Sequence, residues 1–89
     1  MYRLEITKSA QRELDKLGDK EFDRIVAAIR SLRGNARPKG SKKLRRNTCR
    51  IRVGDWRIIH AVFDKDKLVI VGKVARRSEH TYDKIDELF

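Results

Sequence analysis

The sequence predicts an α+β fold: an N-terminal strand, a helical hairpin, a three-stranded antiparallel meander and a short C-terminal helix, with the helices on one face of one twisted sheet. Three observations predict it. Hydrophobic spacing alternates at the N-terminus, changes to the helical i, i+3, i+4 pattern after Ile6, and returns to alternation from Cys49. Gly54-Asp55 separates two alternating runs, the place of a two-residue hairpin turn. A length of 89 residues, 39% of them hydrophobic, suits a single domain over 1–89 with one lean core.

The first strand is "YRLEI", with Tyr2, Leu4 and Ile6 on one side and Arg3 and Glu5 on the other. From Thr7 or Ser9 the stripe Ala10, Leu14 and Leu17 marks a helix that Thr7 can cap and Gly18 can end. Asp19 starts a second helix. Its apolar positions Phe22, Ile25, Val26, Ile29 and Leu32 lie on one face, and Gly34 is placed to close it. With almost no linker between them, the two helices form a hairpin able to cover a sheet.

Residues 35–47, "NARPKGSKKLRRN", hold the only proline and six basic residues (Arg37, Lys39, Lys42, Lys43, Arg45 and Arg46) without an acid, and Leu44 as the apolar anchor. In "CRIRV", Cys49, Ile51 and Val53 face one way and Arg50 and Arg52 the other; "WRIIHAVF" is the hairpin partner, and "KLVIVGKVA" supplies a β-branched last strand. Propagating the register through the turn puts Arg50, Arg52, Arg57, Ile59, Ala61 and Phe63 on one face. Ile51, Val53, Trp56, Ile58, His60 and Val62 take the other, which is more continuously apolar and should meet the helices. The arginine face is then left to solvent or a ligand. The tail "SEHTYDKIDELF" has helical spacing at Ile85, Leu88 and Phe89, with Asp83 and Asp86 in its first turns.

The net charge of +10, from 23 Lys and Arg against 13 Asp and Glu, points to a polyanionic partner. Cys49 has no second cysteine to pair with, and two histidines are too few to expect a zinc centre. The N-terminus lacks the apolar core of a signal peptide and no run reaches the ~18 apolar residues of a membrane span, so a cytoplasmic protein that does not engage membranes is expected.

The strongest candidate site is the arginine cluster. Arg52 directly opposite Arg57, with Arg50 two residues along, sets like charges against each other, which weakens a strand pair. Arginine cannot relieve this by losing its proton. Phosphate explains the cluster, because guanidinium forks bind phosphate oxygens in pairs. "GKVARRSEHTY" adds Lys73, Arg76, Arg77 and Tyr82, and one of the two arginines should share the face of Arg50 and Arg52. Lys42, Lys43, Arg45, Arg46 and Lys73 are the expected phosphate-backbone contacts. A plain nucleic-acid-binding module is disfavoured, since Trp56 and Phe63 fall on opposite faces and give no stacking platform.

The order of these elements, with "LRRNTCRIRVGDWRIIHAV" and "VGKVARRSEHTYDKI", resembles the RelE/ParE superfamily of toxin–antitoxin toxins over nearly the whole chain. The resemblance implies the RelE-like microbial-RNase-type fold and one of two activities. RelE-type members cleave messenger RNA on the ribosome without a metal or other cofactor; ParE-type members inhibit DNA gyrase and lack that catalytic set. The combination of Arg50, Arg52, Arg57, an arginine at 76 or 77, and Tyr82 favours the RelE branch. In that branch the RNA 2′-hydroxyl attacks the adjacent phosphorus, the 5′-oxygen leaves and a 2′,3′-cyclic phosphate forms. Arg57 with Arg76 or Arg77 would stabilise the phosphorane, Arg50 and Arg52 would orient the RNA, and Tyr82 would stack on or bond to the nucleotide. The backbone contacts of Lys42, Lys43, Arg45, Arg46 and Lys73 would then be to RNA. RelE-like enzymes often carry lysines where Arg50 and Arg52 stand, which leaves the general base open among Tyr82, His80 and Lys43. The resemblance also implies an acidic, partly disordered cognate antitoxin in a toxin–antitoxin hetero-oligomer, neutralising the toxin by covering the arginines or by moving the helix that carries Tyr82.

Overall fold

In the computed structural model, which describes residues 1–76, the elements are β1 (Arg3–Ile6), α1 (Lys8–Asp15), α2 (Asp19–Ser31), β2 (Lys42–Lys43), β3 (Thr48–Val53), β4 (Trp56–Phe63) and β5 (Leu68–Arg76). The expected terminal helix, with Ile85, Leu88 and Phe89, lies outside the described residues. Among those described, no helix is long and apolar enough to cross a membrane.

The strands form one five-stranded sheet in the order β1-β5-β4-β3-β2. The meander β3-β4-β5 is antiparallel as expected, and β1 joins it parallel to β5. The basic segment contributes a strand that the alternation did not disclose. Lys42 and Lys43 pair with Arg50 and Cys49, so the meander is extended by β2 at one edge and by β1 at the other.

The Thr7 side chain accepts from the Ala10 N–H at 3.2 Å and caps α1. Gly18 caps the start of α2 with extended backbone, and does not end α1 by a left-handed turn. Gly34 likewise keeps a negative φ; α2 ends in tightened bonds from Leu32 to Ile29 and Arg33 to Arg30, both 3.1 Å. Ala10 and Leu14 of α1 and Ile25 and Ile29 of α2 are buried against Ile51, Ile58 and Val74 of the sheet. Phe22, at the first turn of α2, is exposed.

Register decides which side chains share a face. Val53 pairs with Trp56 and Arg52 with Arg57, as the turn position demands. Along β5 the alternation breaks: Ile59 pairs with Lys73 but His60 with Val71, which makes Gly72 the extra residue of a bulge. Buried Val69 and Val71 are therefore followed by Val74 on the helix side.

His60 is fully buried on the helix side, where its Nε2–H donates to the Ala36 carbonyl at 2.8 Å while Nδ1 has no partner. Burial, helped by the Arg37 charge, pushes its pKa below the usual histidine value against the pull of the Ala36 bond. The fold thus favours neutral His60, and the unfolded chain takes up the proton first as pH falls. Stability is full above the ordinary histidine pKa and drops below it, by up to about 1.4 kcal/mol per pH unit until the folded-state pKa is reached. Urea unfolding at a series of pH values should show this loss in the wild type and not in His60→Gln, which retains a donor for Ala36.

Candidate anion-binding site

The site is built by the hairpin between β3 and β4. Gly54 has φ +60° and Asp55 a negative φ, the combination of a type II′ turn. In such a hairpin the pair next to the turn exchanges both backbone bonds. The following pair, Arg52 and Arg57, is then the close one, with Cα atoms about 4.5 Å apart. A Cβ on Gly54 would come within 2.7 Å of the Arg24 Nη2 of α2. That guanidinium can swing away, so the cost of Gly54→Ala is mainly the left-handed backbone, about 1 kcal/mol. Its Tm should fall by about 4–8 °C in a thermal melt, while Gly54→Asn should lose less.

Two rungs of the sheet carry the cations. One runs Lys42, Arg50, Ile59, Lys73; the next runs Arg52, Arg57, Ala75. The expectation that this face lies open is corrected by burial. Arg50 is only 6% exposed and Arg57 5%, with Ile59 and Ala61 fully buried, whereas Arg52 is exposed. Along the sheet, Arg50 lies between β2 and β4, whereas Arg52 lies beyond the two residues with which β2 pairs.

None of Arg50, Arg52 and Arg57 has a carboxylate within ion-pair distance among the described residues. Among the described residues, Arg50 Nε is buried without a hydrogen-bond partner, and Arg57 makes one long contact, Nη1 to the Trp56 carbonyl at 3.4 Å. A buried guanidinium nitrogen without an acceptor is costly. An anion bearing several oxygens would supply one to Arg50 and add partners for Arg52 and Arg57.

The other predicted residues divide. Lys42 is exposed and opposite Arg50. Lys43, the next residue, pairs with Cys49 on the opposite face, which separates it from the arginines. Arg45 and Arg46 are exposed in the tight turn leading to β3. Lys73 shares a rung with Arg50 yet is partly neutralised, its Nζ 3.6 Å from Glu13 Oε2, while Glu13 Oε1 accepts from the Val74 N–H at 2.9 Å. Arg76 is on the Trp56 side, its guanidinium 4.9 Å from the indole and 3.6 Å from Glu21 Oε1, not on the face of Arg57. Arg77, His80 and Tyr82 lie outside the described residues.

The basic segment is more firmly held than its composition suggests. Arg37 makes a two-pronged ion pair with Asp64, 3.2 and 3.1 Å, and Tyr2 donates to the same carboxylate at 2.7 Å. Asp64 is held below the usual carboxylate range by Arg37 and then by Tyr2, whose own pKa is raised by the bond to Asp64. Buried Ala36 is a second anchor beside Leu44. Sequence reasoning missed Arg37–Asp64, Glu13–Lys73 and Glu21–Arg76, since every partner comes from a distant element.

Residues 4–81 match the family model described as the ParE toxin of the type II toxin–antitoxin system, parDE. No curated protein matches the chain. Among solved structures, the toxin–antitoxin complex RelBE2 of Mycobacterium tuberculosis matches at 26% identity over 85% of this chain and 98% of that one, with a TM-score of 0.75. The archaeal RelE–RelB complex of Pyrococcus horikoshii matches at 25% identity over 88% and 97%, TM-score 0.76. The isolated RelE toxin of E. coli, at 20% identity over 100% of both chains and TM-score 0.76, shares the fold.

Proposed function

This chain belongs to the ParE toxin family of type II toxin–antitoxin systems, and from that premise we propose that it is a ribosome-dependent, metal-independent endoribonuclease that cleaves messenger RNA. The observation that carries the reading is the trio Arg50, Arg52 and Arg57 on one face with no carboxylate among the described residues to neutralise them. The extra negative charge of a phosphorane develops only in the transition state, and fixed guanidinium groups stabilise it with little reorganisation.

In this reading the 2′-hydroxyl attacks the adjacent phosphorus, the 5′-oxygen departs and a 2′,3′-cyclic phosphate remains. Arg57 binds the developing phosphorane, and Arg50 and Arg52 orient the flanking backbone. Arg76 is engaged by Trp56 and Glu21 on the other side, so the second phosphorane-binding arginine is assigned to Arg77. Tyr82 stacks on the nucleotide. Lys43 is separated from the arginines by the sheet, which leaves His80 and Tyr82 as candidate bases. The partners are messenger RNA, the ribosome and an acidic, partly disordered antitoxin that covers or displaces this machinery in a hetero-oligomer. The toxin acts in the cytoplasm as one domain over 1–89.

The ParE family match favours a second reading, gyrase inhibition without nuclease activity. Primer-extension mapping of a messenger in a reconstituted translation reaction, with and without ribosomes, separates the two. Cuts that need ribosomes and vanish in Arg57→Ala support the nuclease. An intact messenger together with inhibited supercoiling supports the alternative.

A further inference from the structure

On the opposite side of the β2–β3 edge from Arg50 lies a small cleft of about 240 Å³, lined by Arg37, Ser41, Lys43, Arg46, Asn47 and Cys49. Among the described residues, no carboxylate lines it. Arg37 is neutralised by Asp64, but Lys43 and Arg46 have no ion-pair partner among the described residues. Its frame is fixed by backbone bonds. Ser41 N–H donates to the Pro38 carbonyl at 2.9 Å across a turn in which Gly40 has φ +88°, and the Asn47 carbonyl accepts from Val62 N–H at 2.8 Å.

The lining combines an ammonium, guanidinium groups, a hydroxyl and a side-chain amide, the set that proteins use on nucleic-acid phosphates. Apart from the Cys49 thiol its described lining offers no apolar side chain to anchor a protein segment. Consecutive residues of a strand point to opposite faces. Lys42 therefore stands with Arg50 while Lys43 opens on the cleft, and a two-residue strand is all that separates the two positive surfaces.

We propose that this cleft is a second phosphate subsite, which holds the backbone of the same RNA strand after it crosses β2 from the arginine face; this rests on the RNA-cleaving reading above. The strand bends over the β2 edge, with Lys42 on one side and Lys43 and Arg46 on the other. The cleft contributes binding and direction, while bond breaking stays on the arginine face.

The test uses the full chain and two 2′-O-methyl oligonucleotides, which lack the attacking hydroxyl: a trinucleotide and a strand of about twelve nucleotides. The longer strand should shift the backbone amides of Ser41, Asn47 and Cys49 in NMR spectra, and the trinucleotide should not. Lys43→Glu with Arg46→Glu should weaken the longer strand about tenfold at low salt and reduce its salt slope by about 1.4, the value for two single-strand phosphate contacts. Trinucleotide binding should weaken far less, by the general loss of positive charge only. Both side chains are exposed, so the fold survives, and Lys43→Gln with Arg46→Gln should give a smaller effect of the same sign. Wild-type affinity of the charge-reversed protein for the longer strand overturns the subsite. So do cleft shifts that appear with polyglutamate and not with RNA, which would assign the cleft to an acidic protein. RNA bound at the cleft and at the arginines without messenger cleavage on ribosomes refutes the nuclease reading alone, whereas no RNA binding by the wild type overturns the subsite alone, since cleavage is read separately in the translation reaction.

Discussion

Arg57→Lys is expected to lower ribosome-dependent cleavage by about 10²- to 10³-fold, the loss seen when one fixed transition-state donor is removed. A lysine keeps the positive charge but not the planar fork that can hold two phosphorane oxygens together. The comparison is therefore sharper than with alanine, which would also empty a position that is 5% exposed. Among the described residues Arg57 has one long contact, to the Trp56 carbonyl, and no carboxylate partner, so the substitution breaks no ion pair there. Single-turnover cleavage of a programmed ribosome gives the rate, and a thermal melt within a few degrees of the wild type shows that the fold is intact. A lysine variant that cuts at the wild-type rate would remove Arg57 from the chemistry. Unchanged gyrase inhibition in the same variant would leave the alternative reading standing.

The hairpin was legible because two local rules agree on it. Alternation sets the faces of "CRIRV" and "WRIIHAVF", and Gly54-Asp55 fixes how they meet, so the Arg52–Arg57 pairing followed without knowledge of the rest of the chain. Burial of the arginines was not legible. It is set by contacts from parts of the chain distant in sequence, which alternation along one strand does not report; the pairing of β2, two lysines whose composition reads as a solvated loop, was hidden for the same reason. The helix glycines misled for a related reason: glycine permits a left-handed cap without requiring one, and the positive φ angles were needed at Gly40 and Gly54 instead. Gly72 was the available signal for the bulge in β5, since a glycine inside an apolar strand often marks one. Arg76 shows how the parts connect. Past the bulge, β5 turns Ala75 toward the face of Arg57 and Arg76 toward Trp56, a choice that the sequence left open between Arg76 and Arg77.

Arg50→Met is expected to make the isolated protein more stable and the toxin less active. Arg50 is 6% exposed, its Nε has no hydrogen-bond partner, and Lys42 stands directly across from it while Arg52 follows on the same face. Replacing buried charged groups by apolar side chains of similar volume is often neutral or stabilising, by up to about 1–4 kcal/mol, and Arg50 has no ion pair among the described residues to lose. At roughly 4–8 °C per kcal/mol for a domain of this size, the gain is easily read in a melt. Inorganic phosphate distinguishes the physical cause. An anion that binds the native arginine face raises the Tm of the wild type in proportion to the logarithm of its concentration once the site is filled. The increase should be smaller in Arg50→Met, because part of the repulsion is already gone. Messenger cleavage should fall at the same time, since the group that strains the free fold is the one that orients the RNA backbone. A variant that melts below the wild type would mean that Arg50 is satisfied within the fold, and the case for an anion-receiving face would lose its main structural support.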